Sequence, residues 1–156
     1  MIPENKQGDW RIKHQTIKGK TSTILYRGKT FVMMSPYPAD DTVEIARTFH
    51  GKVLIGGLGL GYVASILPDE VTHVDIVENS QDVIDLVWKH LDFDDRYELH
   101  HDDIFNWEPD GYDFVYLDTW DMSDKAGYEM YLKLKPIFPD AYCWAEQEMI
   151  CRYKKQ

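Results

Sequence analysis

Cysteine is nearly absent: Cys143 and Cys151 are the only two in 156 residues. They form no CxxC pair and fit no secreted-size disulfide pattern, so a reducing, cytoplasmic setting with plain thiols is expected. No stretch approaches eighteen apolar residues, and the opening Met1-Ile2-Pro3-Glu4-Asn5-Lys6-Gln7-Gly8-Asp9 has no basic segment leading into an apolar run. Neither a membrane span nor an export signal is therefore expected. Positive charge is scarce as well, with 17 Lys and Arg against 27 Asp and Glu and a formal net charge of −10. Such a surface repels a phosphate backbone and argues against general nucleic-acid binding. The one concentrated basic stretch, Arg152, Lys154 and Lys155, reads as ordinary helix-end charge.

Repeats, linkers and low-complexity tracts are missing too. At 44% hydrophobic and 28% charged residues, the composition excludes a disordered tail or a collagen-like chain, which could not repay the entropy of folding. A chain of this length buries about two-thirds of its unfolded surface without disulfide or metal staples. One domain over residues 1–156 is expected, with a β-element and connecting helix at 10–50 and an α/β core at 51–156.

In the first part, Ile12 to Ile17, Thr23 to Tyr26 and Thr30 to Met34 are β-rich runs that make a small meander. Ser35-Pro36-Tyr37-Pro38 interrupts it, and Asp40 or Asp41 can cap a short helix through Phe49. From Lys52 the periods alternate. Val53-Leu54-Ile55, Val74 to Val77, Tyr97 to Leu99, Phe114 to Leu117 and Ala141 to Trp144 read as five strands. Between them run helical patterns, one with inner face Val83, Ile84, Val87, Trp88 and Leu91, and one from about Ser123 to Lys135 burying Tyr128, Tyr131 and Leu132. A terminal helix carries Met149, Ile150 and Tyr153. This alternation implies an α/β fold with a parallel sheet covered on both faces.

Chemistry concentrates at the strand ends. After the first core strand comes Gly56-Gly57-Leu58-Gly59-Leu60-Gly61, whose Gly57, Gly59 and Gly61 allow a nucleotide or nucleoside to approach the backbone. The plainer reading is a tight turn packed on its own helix. No lysine-serine pair follows, which disfavours a phosphate-cradling P-loop. Glu78 closes the second strand, where a carboxylate accepts hydrogen bonds from the ribose hydroxyls of an adenosine ligand, or merely serves the following helix start. Asp102 and Asp103 follow the third strand; an aspartate there can accept from an adenine amine, and an Asx turn or helix cap is the alternative. Asp118-Thr119-Trp120-Asp121 ends the fourth strand. Its two carboxylates can serve one cleft by neutralising a sulfonium or orienting an amine, and Trp120 can wall a substrate pocket or simply cover the core. Tyr37 is a second candidate for substrate contact. His100-His101 has no ligand-spaced partner along the chain, and no metal set is visible.

On these motifs the run from Val53 through Trp144 resembles class I methyltransferases that use S-adenosylmethionine, and specifically their spermidine synthase-like branch. The resemblance implies a Rossmann-like three-layer fold with a shortened, mainly parallel five-stranded sheet behind the N-terminal meander. It implies that the glycine loop and Glu78 hold the nucleoside, that Asp102 contacts adenine, and that Asp118 and Asp121 form the family's D-x-x-D. Two departures stand out: Leu60 replaces the aspartate that aminopropyl-transferring relatives usually carry in the glycine loop, and the further sheet elements and polyamine-binding residues that they place beyond the fifth strand are not expected here.

The expected function is transfer of a methyl group from S-adenosylmethionine to a small-molecule acceptor, with Asp118 and Asp121 as catalytic candidates. Aminopropyl transfer, cleavage of the cofactor and noncatalytic nucleoside binding or assembly are the alternatives. A shortened sheet leaves an edge to protect, for which a homo-oligomer is the simplest expectation.

Overall fold

The computed structural model describes residues 1–17, 19–35, 41–121 and 123–154. The N-terminal strands β1 (Asn5–Gln7), β2 (Trp10–Ile17), β3 (Lys20–Arg27) and β4 (Thr30–Ser35) form an antiparallel sheet in chain order. Three of these strands are expected from the sequence. β1 is not, because three exposed polar residues offer no alternation to read.

After α1 (Thr42–Ala46), the core alternates β5 (Gly51–Gly56), α2 (Tyr62–Ser65), β6 (Val71–Glu78), α3 (Gln81–Val87), β7 (Tyr97–His101), β8 (Phe114–Leu117), α4 (Lys125–Leu134), β9 (Tyr142–Cys143) and α5 (Glu146–Tyr153). Its five strands are all parallel, in the order β7-β6-β5-β8-β9. This is the Rossmann-like α/β architecture. Residues alternate between two covered faces, which is why the strands read as continuous apolar runs. Val53, Ile55, Val74 and Ile76 pack toward α2, α3 and the N-terminal sheet's Ile12 and Leu25. Leu54, Val77 and Leu117 pack with Leu134, Phe138 and Met149 on the opposite side.

Helix ends obey local chemistry. Ser80 Oγ accepts the Val83 N–H at 3.4 Å, and Asp124 Oδ1 accepts the Gly127 N–H at 2.6 Å, each supplying an acceptor for an otherwise orphaned first-turn donor. Two details differ from the sequence expectation. Leu132 is 50% exposed, while Leu134 is fully buried; the helix buries the stripe of Gly127, Tyr131 and Leu134, and 132 lies off it. In α3 the buried set is Val83, Leu86 and Val87, with Ile84 and Trp88 only partly covered.

No helix among the described residues is long and apolar enough to cross a membrane.

Candidate functional site

The strand order reverses around β5, which pairs with β6 on one side and β8 on the other. Open α/β sheets bind ligands at this kind of switch point, outside the carboxyl ends of the strands. A cleft of about 780 Å³ opens here, between the core and the N-terminal sheet. That volume falls in the range of small-molecule sites, roughly 300–1,000 Å³. Gly57, Gly59, Glu78, Asp118, Trp120 and Asp121 all line it.

The glycine loop is built by close backbone approach. Gly57 has φ 96°, its N–H donates to the Val77 carbonyl at 2.8 Å, and a Cβ there would run into the backbone oxygen of Asp118. The loop and the end of β8 therefore touch through backbone alone. Asp118 completes the join, its N–H donating to the Gly56 carbonyl at 2.9 Å. Gly61 opens α2 at φ 71°, and a Cβ there would lie 2.5 Å from Leu91. It does not line the cleft and packs closely on Leu91.

Glu78 is buried at 9% exposure. Its Oε2 accepts the Leu58 N–H at 3.0 Å and its Oε1 accepts the Ser80 N–H at 2.8 Å. Burial pushes its pKa above the ordinary glutamate value, and the donated backbone hydrogen bonds, from Leu58 first, offset only part of that rise. Among the described residues no Lys, Arg or His forms an ion pair with it. An ionised carboxylate offers about four lone-pair positions, and the Asn79 and Gly59 amides act on it as well as those of Leu58 and Ser80.

Asp102 and Asp103 do not line the cleft. Asp102 Oδ1 accepts from the Asp103 N–H at 2.7 Å and Asn106 Nδ2 at 2.8 Å, while Oδ2 accepts the Trp107 indole N–H at 3.1 Å. The Asn106 bond, then the Asp103 N–H, hold its carboxyl below the usual range. Asp103 caps the single 3-10 turn at Ile104–Asn106. The apolar Ile104, not either aspartate, reaches the cleft.

In the segment after β8, Asp118 is half-buried. Trp120 is largely core: its indole N–H donates to the Trp144 carbonyl at 3.0 Å, and its ring meets Tyr131 edge-on at 5.7 Å. Asp121 Oδ1 accepts from both the N–H and the hydroxyl of Ser123, which closes the turn before α4. Tyr37 lies outside the described residues.

Several lining residues carry no signal that sequence reading used. Met33 of β4 presses on Gly59 and accepts the Leu60 N–H on Sδ at 3.2 Å. Asn79 and Thr119 each follow a carboxylate at a strand end, a position from which they could have been found. The Thr119 hydroxyl is shielded from solvent and has no hydrogen-bond partner among the described residues. Arg27 and Arg152 reach the cleft from β3 and α5, and nothing local to either predicts it.

No family model and no curated protein matches the chain. Among solved structures, the chain is similar to spermidine synthase from Thermotoga maritima, at a TM-score of 0.56 and 18% identity over 87% of this chain and 53% of that one. It is also similar to a dimethyladenosine transferase from Plasmodium falciparum, with a TM-score of 0.44 and 16% identity over 62% of this chain and 37% of that one. The third is a DhpI–SAH complex, with a TM-score of 0.44 and 26% identity over 59% and 46%. The chain thus spans about half the length of these structures or less. The likeness to spermidine synthase shows the fold alone, a Rossmann-like α/β core with an antiparallel sheet before it.

Proposed function

We propose that the protein binds S-adenosylmethionine across the carboxyl ends of β5, β6 and β8 and transfers its methyl group to a small-molecule acceptor. The observation that carries this reading is Glu78, a buried carboxylate without a cationic partner among the described residues, at the end of the strand beside the glycine loop. A carboxylate in that position suits a pair of ribose hydroxyls, which donate to it without bringing a competing negative charge.

The remaining residues fit the group. Gly57 and Gly59 keep the loop free of side chains on the cleft side, and Ile104 offers an apolar contact for a base. Asp118, held by its backbone to β5, sets a negative charge at the mouth of the site, where it attracts a sulfonium and orients an acceptor. When bound, the cofactor supplies an electrophilic methyl carbon; the chain's contribution is positioning and electrostatics. An acidic protein of net charge −10 favours a small neutral or cationic acceptor over a polyanion.

A product assay tests the proposal. The protein is incubated with S-adenosylmethionine and an acceptor panel, and products are resolved by mass. Acceptor-dependent S-adenosylhomocysteine supports methyl transfer, methylthioadenosine assigns aminopropyl chemistry or cleavage, and homoserine lactone assigns cleavage. Absence of calorimetric binding of either S-adenosylmethionine or S-adenosylhomocysteine overturns the site itself.

A further inference from the structure

A second cluster lies on β6 and β7, apart from the cleft. The two strands pair in parallel with Asp75 opposite Glu98 and Val77 opposite His100. Side chains two residues apart share a face, so His73-x-Asp75 on one strand and Glu98-x-His100 on the next place two imidazoles and two carboxylates side by side. Asp75 is the centre of the group, with its side chain only 6% exposed. Its Oδ2 lies 3.1 Å from His73 Nε2, 2.7 Å from the Tyr112 hydroxyl and 3.6 Å from Lys52 Nζ, and its Oδ1 lies 2.7 Å from His100 Nε2. One ligand atom each from His73, Asp75 and Glu98 falls within 4.8 Å of the others.

Ligands about 2.1 Å from a shared ion stand roughly 3.0–3.4 Å apart when adjacent. His73 Nε2 and Asp75 Oδ2 already stand at that spacing, 3.1 Å apart, and Glu98, whose side chain is 63% exposed, can swing in to close the remaining gap of at most about 1.8 Å. One imidazole with two carboxylates suits a first-row divalent ion such as zinc, cobalt or manganese, since an imidazole adds little for magnesium or calcium.

We propose that His73, Asp75 and Glu98 bind one divalent transition-metal ion on this face, with solvent completing its coordination. His100 is a positioning residue: it holds the second oxygen of Asp75 and so fixes the direction of the first. Lys52, 43% exposed, swings away from Asp75 as the ion enters. Because β7 is the edge of the sheet, the ion ties the edge strand to its neighbour. The proposal stands apart from the reading of the cofactor cleft.

The test uses the untagged full chain, stripped with chelator and titrated with Zn²⁺ and with Co²⁺. Calorimetry should show one ion per chain, Co²⁺ should develop ligand-field absorption in the visible, and thermal unfolding should shift upward with ion concentration. His73→Ala and Glu98→Gln sit at accessible positions and should each weaken binding at least about tenfold, as should His100→Ala at roughly tenfold to a hundredfold. His101→Ala, on the other face of β7, should bind as the wild type does. The proposal is overturned if the wild type binds no ion stoichiometrically, if either the His73 or the Glu98 variant keeps wild-type affinity, or if His101→Ala is the variant that loses it.

Discussion

Substituting Glu78→Gln keeps the shape of the side chain and deletes its charge. In the fold, both carboxylate oxygens are acceptors, for the Leu58 and Ser80 amides. A carboxamide has one oxygen, so one of these backbone donors must face an NH₂ group, at a cost of about 1–3 kcal/mol for an unsatisfied buried partner. Against this, the ionised carboxylate is itself strained by burial, which is why its pKa is raised, and the amide escapes that penalty. The net change in stability should be smaller than the hydrogen-bond cost alone.

Binding is the sharper readout. A charge-assisted hydrogen bond from a ribose hydroxyl is worth about 1.5–3 kcal/mol, which predicts roughly tenfold to hundredfold weaker binding of S-adenosylhomocysteine. The pH dependence has a definite sign. Because the folded pKa lies above the ordinary value of 4.5, Glu78 contributes its stability in full below the unfolded pKa and loses it as pH rises through the folded one. Ligand affinity runs the other way and rises with pH across the same window, since the ionised carboxylate is the better acceptor. Calorimetric titration at a series of pH values, with thermal melts to establish folding, measures both slopes in the wild type and their absence in Glu78→Gln. A folded variant with wild-type affinity and a wild-type pH profile would refute the assignment.

Asp118→Asn should lower turnover on the identified acceptor about tenfold or more while changing S-adenosylhomocysteine affinity less; Asp121→Asn should cost little, because that carboxylate is engaged by Ser123, and steady-state kinetics of the pair separates the two. Gly57→Ala combines a left-handed backbone with a Cβ that meets the Asp118 carbonyl, so it should destabilise by about 1–3 kcal/mol or more and abolish nucleoside binding, read by denaturant unfolding and calorimetry. Leu134→Ala should cost about 2–5 kcal/mol and Leu132→Ala within about 0.5 kcal/mol in the same unfolding experiment, since one is fully buried and the other half exposed.

The parallel core was legible because its strands are short apolar runs between glycine and helix-cap signals, and Phe114–Leu117 appears with the bounds the pattern gives it. That Gly57, Gly59, Glu78 and Asp118 stand together at one cleft was legible for a related reason: open α/β sheets place their clefts at strand ends, and strand ends can be found by period alone. Asp102 also follows a strand, but it does not line the cleft. Its position after β7 suits a ligand contact, yet Asn106 and Trp107, four and five residues on, hold both its oxygens. Leu132 failed for a simpler reason, as a one-residue error around a helix moves a side chain by about 100°. The cleft wall from the N-terminal sheet was not legible at all. Met33 and Arg27 come to the site through the packing of one sheet on another unit, and no local pattern encodes that contact.

Strand β6 makes the same point about chemistry. Asp75 and Glu78 stand three residues apart in an apolar run, so the pleat sends them to opposite faces, and both are buried. Burial pushes each pKa up, yet the outcomes diverge. Around Asp75, hydrogen bonds from Tyr112, His100 and His73 and the charge of His73 outweigh burial, and its carboxyl is held below the ordinary range. Around Glu78 only backbone amides oppose burial, and its pKa stays raised. Asp75 is thus held ionised by the donor side chains around it. Glu78 lines the cleft instead, where the proposed cofactor would bring hydroxyl donors to it. The residues that divide these roles, Lys52, His100 and Tyr112, lie more than twenty residues away in sequence. The two carboxylates acquire different chemistry only when β5, β7 and the segment before β8 close around their strand.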